Sequence, residues 1–273
     1  MSQRSRRWYP AVVTIALAGV ALGAAGCSGG GTLKTTTKSN PEMVGLFRLS
    51  AGQTAGGQVT GSWFRMLQPG GNPTSGPYMI NSDSPADGGQ VTLLSPGSQG
   101  GLRTSSYQSQ PQPAFDSGGN SLSAAIIAPT RFFGVRFSIS TNQVDLQTRT
   151  TVAPPTVVLD HGKLRADLSS WAASWNNQNF NQGAPKPVTS TGAKAPGQAQ
   201  TERAWDWVSR RWLDAAPKAT VTGTGATGTF DAKTGAFVLQ WTSLIVGGPF
   251  NGFTGVWHLQ GVFQPSASAP SGA

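Results

Sequence analysis

Cysteine occurs once in this chain, histidine twice, and charged residues make up only 11% of its 273 positions. One cysteine cannot close an internal disulfide, which excludes the stapled scaffolds of small secreted proteins. A His/Cys metal site or an imidazole-based triad has almost nothing to draw on. The scarcity of Glu, Lys and Leu excludes a coiled coil or a long helical bundle. No apolar run reaches the ~20 residues that a membrane-crossing helix needs. What the chain has instead is 36 Gly, 19 Pro, 9 Trp and 12 Phe. Gly and Pro divide it into short elements, and the aromatics are numerous enough to build a core, unlike those of a wholly disordered chain.

The N-terminus carries the most specific signal. Arg4, Arg6 and Arg7 precede an uncharged apolar run from Ala11 to Ala25, and the run ends in Ala24-Ala25-Gly26-Cys27-Ser28. A basic start, a run of about 15 apolar residues and small residues before a cleavage point are the parts of an export signal. This arrangement resembles the lipobox of bacterial lipoproteins, with Ala24 where that family usually has Leu. The resemblance implies export, cleavage before Cys27 and attachment of acyl chains, such as palmitate, to its sulfur. The expected location is extracytoplasmic, tethered to the membrane by several acyl chains, which hold far better than one. In that role Cys27 is neither a nucleophile nor a metal ligand.

Loss of the three arginines lowers the formal net charge from +9 to +6. The remaining positive charges are scattered singly and do not form the stripe of a nucleic-acid site, so no nucleic acid is expected as a partner. The expected partners are the membrane, through the anchor, and a cell-wall polymer, a glycan or another protein.

The organisation reads as a signal over residues 1–26, a lipidated cysteine and Gly/Ser/Thr-rich tether over 27–41, one domain over 42–264 and a polar tail over 265–273. Within the domain, short β-branched and aromatic runs bounded by Gly, Pro, Asn or Ser predict strands at Met43–Leu49, Val59–Leu67, Phe132–Ile139, Thr156–Asp160 and Lys163–Leu168. His161-Gly162 predicts a two-residue hairpin, with Asp160 facing Lys163 and Asp167 facing Thr156. Three longer strands are predicted at Thr220–Phe230, Ala236–Val246 and Gly252–Phe263, with Gly235 in the left-handed position of the first turn. Phe237, Leu239, Trp241, Ser243 and Ile245 share one face of the middle strand, and Trp257, Leu259, Gly261 and Phe263 share one face of the last.

Two helices are predicted. A short one runs from Asn120 or Ser121 to Ala128, stopped by Pro129; a longer one runs from Thr201 to Ala216, where Trp205, Val208, Trp212 and Ala215 form a stripe. The polar stretch 176–200 before it reads as a long loop, so that 176–217 forms a loop-helix segment. The fold class is therefore mainly β, an antiparallel sandwich or open barrel with one or two flanking helices. Gly228 to Phe263, together with Phe180-Asn181-Gln182-Gly183, resembles the ends of uncharacterised secreted bacterial all-β domains. That resemblance implies kinship of fold and transfers no activity and no site residue.

Chemistry is thinly signalled. There is no Gly-x-Ser-x-Gly elbow, no phosphate-binding loop, and no pattern for a metal or cofactor. His161 and His258 read as turn and strand residues. Asn81, Asp83, Asp87 and Gly88, and likewise Asp116 to Asn120, have calcium-loop residue types, but Pro85 stands at a ligand position and Asx residues in Gly-rich turns usually cap backbone. The acids are few and lie mostly in turns, which leaves little for the paired carboxylates of glycoside hydrolysis.

Exposed Trp offers flat faces for sugar rings, and Trp63, Trp171, Trp175, Trp207, Trp241 and Trp257 carry the right chemistry. Three are singled out as ligand-binding candidates. Trp171 and Trp175 adjoin the hydrogen-bonding run Asn176-Asn177-Gln178-Asn179, and Trp207 falls off the apolar stripe beside Arg203, Arg210 and Arg211. Core packing, or a cation–π pair for Trp207, explains the same residues. The function expected from the sequence is non-catalytic binding or a structural role at the cell envelope. The alternatives are an envelope hydrolase using His258 or Asp160, and an assembly subunit docking through the Trp207 helix.

Overall fold

The computed structural model describes residues 40–187, 204–206, 211–213, 221–222 and 225–266. They belong to one compact unit, Ser39–Ala273. The signal, Cys27, most of the tether and the tail after residue 266 lie outside the described residues.

The strands follow in chain order. β1 (Gly45–Leu49), β2 (Gln53–Ala55), β3 (Gln58–Thr60), β4 (Trp63–Asn72), β5 (Gly76–Tyr78), β6 (Thr92–Leu93) and β7 (Gly101–Arg103) come first. β8 (Thr130–Phe132), β9 (Val135–Thr141), β10 (Thr156–Asp160), β11 (Lys163–Asp167), β12 (Trp171–Trp175), β13 (Gln178–Asn181) and β14 (Lys186–Pro187) form the middle. β15 (Ala204–Asp206), β16 (Arg211–Leu213), β17 (Val221–Thr222), β18 (Ala226–Phe230), β19 (Ala236–Leu244) and β20 (Thr254–Pro265) complete the chain. All their pairings are antiparallel.

The large sheet has the order β10-β11-β18-β19-β20-β1-β7, with β4 paired to β20 and with β5 and β6 paired to β4. A second, four-stranded sheet has the order β13-β12-β9-β8. Their inner faces meet through Phe64, Trp241 and Trp257 from the large sheet and Phe132, Phe137 and Trp171 from the small one. This is a β-sandwich-like fold. The aromatic side chains in its middle bury the most surface and supply most of the driving force for closing the two sheets.

The C-terminal meander follows the predicted pattern. Phe237, Leu239, Trp241, Ser243 and Ile245 are all buried, as are Trp257 and Leu259. Gly235 has φ +73°, closing the turn after Asp231. His161 and Gly162 both take positive φ, and β10 pairs with β11 so that Asp160 faces Lys163 and Thr156 faces Asp167. β20 is longer than any neighbour and divides its second edge: residues 254–258 pair with β4, and residues 261–265 pair with β1. Ser62 and Gln260 stitch the junction, the Ser62 hydroxyl donating to the Gln260 carbonyl at 3.1 Å.

Several local expectations are corrected. The strand expected over Phe132–Ile139 is a hairpin, β8 pairing with β9 around Phe133 and Gly134, both at positive φ, and the one expected over Val59–Leu67 breaks at Gly61 between β3 and β4. The segment 121–128 is not a helix. Its backbone runs beside residues 95–99, with Gly97, Ser98 and Gln99 donating to the carbonyls of Ile126, Ala124 and Ala125. Ile126 and Ile127 are both fully buried, and the bonds to 95–99 take up carbonyls that a helix would have used within itself. Within 201–216, β15 and β16 form a hairpin in which Trp205 faces Trp212 across the ladder. Trp suits a strand pair as well as an amphipathic stripe, and here the strand preference wins. The start of the supposed loop at 176 is a tight turn, with Asn176 and Asn177 at φ 51° and 59°, followed directly by β13. Asn tolerates that left-handed geometry better than most residues. Among the described residues the only helical segment is a short 3-10 turn, Ala86–Gly89.

Candidate functional site

Phe64 and Met66 on β4, Trp257 on β20, Phe132 on β8, Phe137 on β9, Ala173 and Trp175 on β12, and Phe180 on β13 converge on a crevice between the two sheets. Ile245 and Phe250, from the loop between β19 and β20, and Gln182, just after β13, complete its lining. The free space inside is about 50 Å³, and its accessible wall is entirely apolar. Phe250 is the half-buried member. Its ring packs edge-on against Phe132 at 5.8 Å, tilts against Trp175 at 5.4 Å, and touches Phe253. The loop that carries it is built on Gly247, Gly248 and Gly252, all at positive φ.

Gln182 also belongs to a buried polar cluster with Asn181, Asp145, Gln147 and Lys186. The Gln182 amide nitrogen donates to the carbonyls of Asn181 and Leu244, and its Oε1 accepts the indole N–H of Trp257 at 3.3 Å. Its main-chain carbonyl accepts the indole N–H of Trp241 at 2.9 Å. Asn181, next along, donates through Nδ2 to Asp145 and accepts from the amide of Gly183 at 2.9 Å. Gln147 bridges the cluster to the covering loop, donating to the Val246 carbonyl at 2.6 Å. Lys186 points its amine at Asn181, and burial pushes that amine down to about 7, opposed in part by the charge of Asp145.

The residues singled out in the sequence fall as follows. Trp171 is 0% exposed and packs edge-on against Trp241 and Trp257 at 5.2 and 5.7 Å, so neither of its faces is open to a sugar ring. Trp175 is buried too, lines the crevice and donates its indole N–H to the Phe132 carbonyl at 2.8 Å. Both sit on β12, which is buried on both faces because the large sheet covers one and residues 108–110 cross the other. The stacking-platform expectation for these two residues is therefore replaced by core packing. Trp207 and Cys27 lie outside the described residues.

The Asx-rich loops act as local caps. Asp83 accepts the Gly134 amide at 2.6 Å, Asn81 accepts the Asp83 amide and donates to Thr92, and Asp87 pairs with Arg65 at 3.1 Å. Asp116 accepts from the side chain and backbone of Asn120, which hold its carboxyl below the usual range. Among the described residues no three His, Cys, Asp or Glu side chains gather closely enough to hold a metal ion. His161 meets Asp160 at the exposed hairpin tip, at 2.5 Å.

Sequence reasoning missed two features. One is the crevice itself, whose lining comes from seven separated segments with no shared motif. The other is an aromatic and basic patch on the outer face of the large sheet. There the His258 ring stacks on Trp63, and the Arg65 guanidinium lies 5.1 Å from the Trp63 ring and 4.8 Å from the Tyr78 ring. The i, i+2 spacing of Trp63 and Arg65 was the available signal, since alternate strand residues share a face. No family model, no curated protein and no solved structure matches the chain at a significant level.

Proposed function

We propose that this protein is a lipid-anchored, extracytoplasmic binding domain that takes an acyl chain of an envelope lipid into the crevice between its two sheets. The observation that carries this reading is the wholly apolar accessible wall of a crevice whose one partly exposed lining residue is Phe250. An apolar chain gains by leaving water for such a wall, and nothing there rewards a polar group. The crevice as it stands holds about 50 Å³, whereas a dry cavity of roughly 150 Å³ is enough for benzene. The ring of Phe250 fills the position a ligand would take, so binding requires the glycine-based loop to swing it outward. The lipobox-like N-terminus supports the reading independently, because an anchor at Cys27 keeps the domain beside a supply of acyl chains. With Trp171 and Trp175 in the core, a glycan has lost two of the three platforms on which that alternative rested. His258 meets Gln240 and Trp63 rather than a carboxylate, which gives little support to the hydrolase alternative.

The test is photolabelling in the native membrane with a diazirine-bearing fatty acid, followed by peptide mapping of the full chain. Adducts on the 245–253 loop or on Phe132 and Phe137 are expected, and Ala173→Trp, which fills the crevice, should abolish them. Labelling confined to the N-terminal region would sink the proposal.

A further inference from the structure

The polar cluster that includes Gln182 brings an amine, a carboxamide and a carboxyl group together, and acyl-chain binding uses none of them. Lys186, Asn181 and Asp145 are all buried. The Lys186 Nζ donates to the main-chain oxygen of Asn181 and lies 3.4 Å from Oδ1 of the same residue's side chain. The carboxamide is held at both ends. Its Oδ1 accepts the Gly183 N–H at 2.9 Å, and its Nδ2 donates to Oδ2 of Asp145. Asp145 is fixed in turn, since its Oδ1 accepts the amides of Gln147 and Thr148 at 3.2 and 2.5 Å. The Asn181 amide donates to Gln147 Oε1 at 3.0 Å, so the electrophile, its polarising donor and the carboxyl group have little freedom.

We propose that Lys186 and Asn181 condense in the folded protein to an internal amide, with Nζ replacing Nδ2 on the Asn181 Cγ and Asp145 relaying the proton. The lone pair of the neutral amine attacks Cγ, and the charge that develops on Oδ1 is met by the Gly183 N–H, as in an oxyanion hole. The Asp145 carboxylate takes a proton from the attacking nitrogen and gives it to Nδ2, which leaves as ammonia. One C–N bond forms, one C–N bond breaks, and Asp145 ends as it began. No oxidant, metal or cofactor takes part. Burial favours the uncharged amine that such an attack needs, with its value brought down to about 7. Holding the two groups in contact replaces an encounter that would be very slow in solution.

The cross-link would close a ring over residues 181–186, fixing Gln182 where it lines the crevice. It also gives an exported chain with a single cysteine a covalent tie that needs no second thiol. Trypsin supplies the test, because Lys186 precedes Pro187 and both partners fall in the one peptide Ala166–Lys194. From the full-length protein this peptide should be lighter than its sequence by one ammonia, with no backbone fragments between residues 181 and 186. A peptide of full mass, or one that fragments freely between Gln182 and Pro185, overturns the proposal without any variant. Asparagine cyclisation to a succinimide also loses ammonia but does not need the lysine. In Lys186→Met the deficit should therefore vanish; its persistence overturns the amide as well.

Discussion

The imidazole of His258 lies flat on the indole of Trp63, with ring centroids 4.7 Å apart and planes 3° from parallel. Burial holds His258 below its ordinary value of 6.5, while a hydrogen bond with Gln260 pulls weakly the other way. The folded state thus binds this proton less tightly than the unfolded chain does. There is no penalty while the ring is neutral in both states, and stability is lost as pH falls through the unfolded value and below. The urea midpoint should drop between about pH 7.5 and pH 5, and His258→Gln should flatten that part of the profile.

Lys186 makes a prediction at the other end of the scale. As a free amine, lowered from 10.5 to about 7, it is protonated in the unfolded chain and neutral in the folded one between those values. Stability then climbs with pH across that window and is poorest below it. An Asn181→Ala variant keeps the main-chain oxygen that Lys186 touches but cannot condense, so its urea midpoint should rise from pH 7 toward 10. The native protein, with its amide formed, should lack that rise and resemble Lys186→Met.

Close backbone approach makes two glycines irreplaceable. A Cβ on Gly261 would stand 1.8 Å from the Arg48 carbonyl oxygen, and one on Gly228 would stand 1.7 Å from that of Val238. Gly261→Ala must push β1 away from β20, and a loss of about 1–3 kcal/mol is expected from overpacking alone. Gly118→Ala meets only the side chains of Asn120 and Asp116, at 3.2 and 3.4 Å, and should change the denaturation midpoint little.

Trp171 and Trp241 touch each other in the core but differ in their polar ends. The Trp241 N–H donates to the Gln182 carbonyl, whereas the buried Trp171 N–H has no partner. Replacing either by Phe removes a similar volume, so the hydrogen bond is what separates them. Trp241→Phe should be the more destabilising by about 1–3 kcal/mol, because it leaves a buried acceptor short of a donor. Equal losses in chemical denaturation would contradict this.

Phe250 should control access to the crevice. Phe250→Ala opens the mouth while Trp175, Phe132 and Phe137 still form the floor. Fluorescence of an apolar naphthalene dye should rise on adding this variant, compared with the native protein, at a temperature well below a thermal midpoint that the lost ring contacts lower. Ala173→Trp should show the reverse.

The strands near the C-terminus were legible because one face of each packs on a core and the other meets water. Period-two alternation in Phe237, Leu239, Trp241, Ser243 and Ile245 records that asymmetry directly. The His161-Gly162 hairpin was legible for a local reason, since two residues with positive φ set its register. The segment 121–128 was misread because Ala and Ile fit a short helix equally well, and only the strip at 95–99 pulls it straight. Of the two readings open for Trp171 and Trp175, core packing holds, although their asparagine neighbours suggest a wet surface. Those asparagines form a turn beyond the strand, and β12 itself is covered on both sides.

The sequence by itself determined the class of fold, the turns at His161-Gly162 and Gly235 and the single site at which a thiol can be modified, because each depends on local residue type and short-range periodicity. The tertiary structure alone decided which aromatics meet in the crevice, and that Lys186, Asn181 and Asp145 share one buried pocket. The aromatics meet by packing of strands far apart in the chain, and Asp145 reaches Asn181 and Lys186 from a loop 36 residues before Asn181, so no local pattern encodes either gathering.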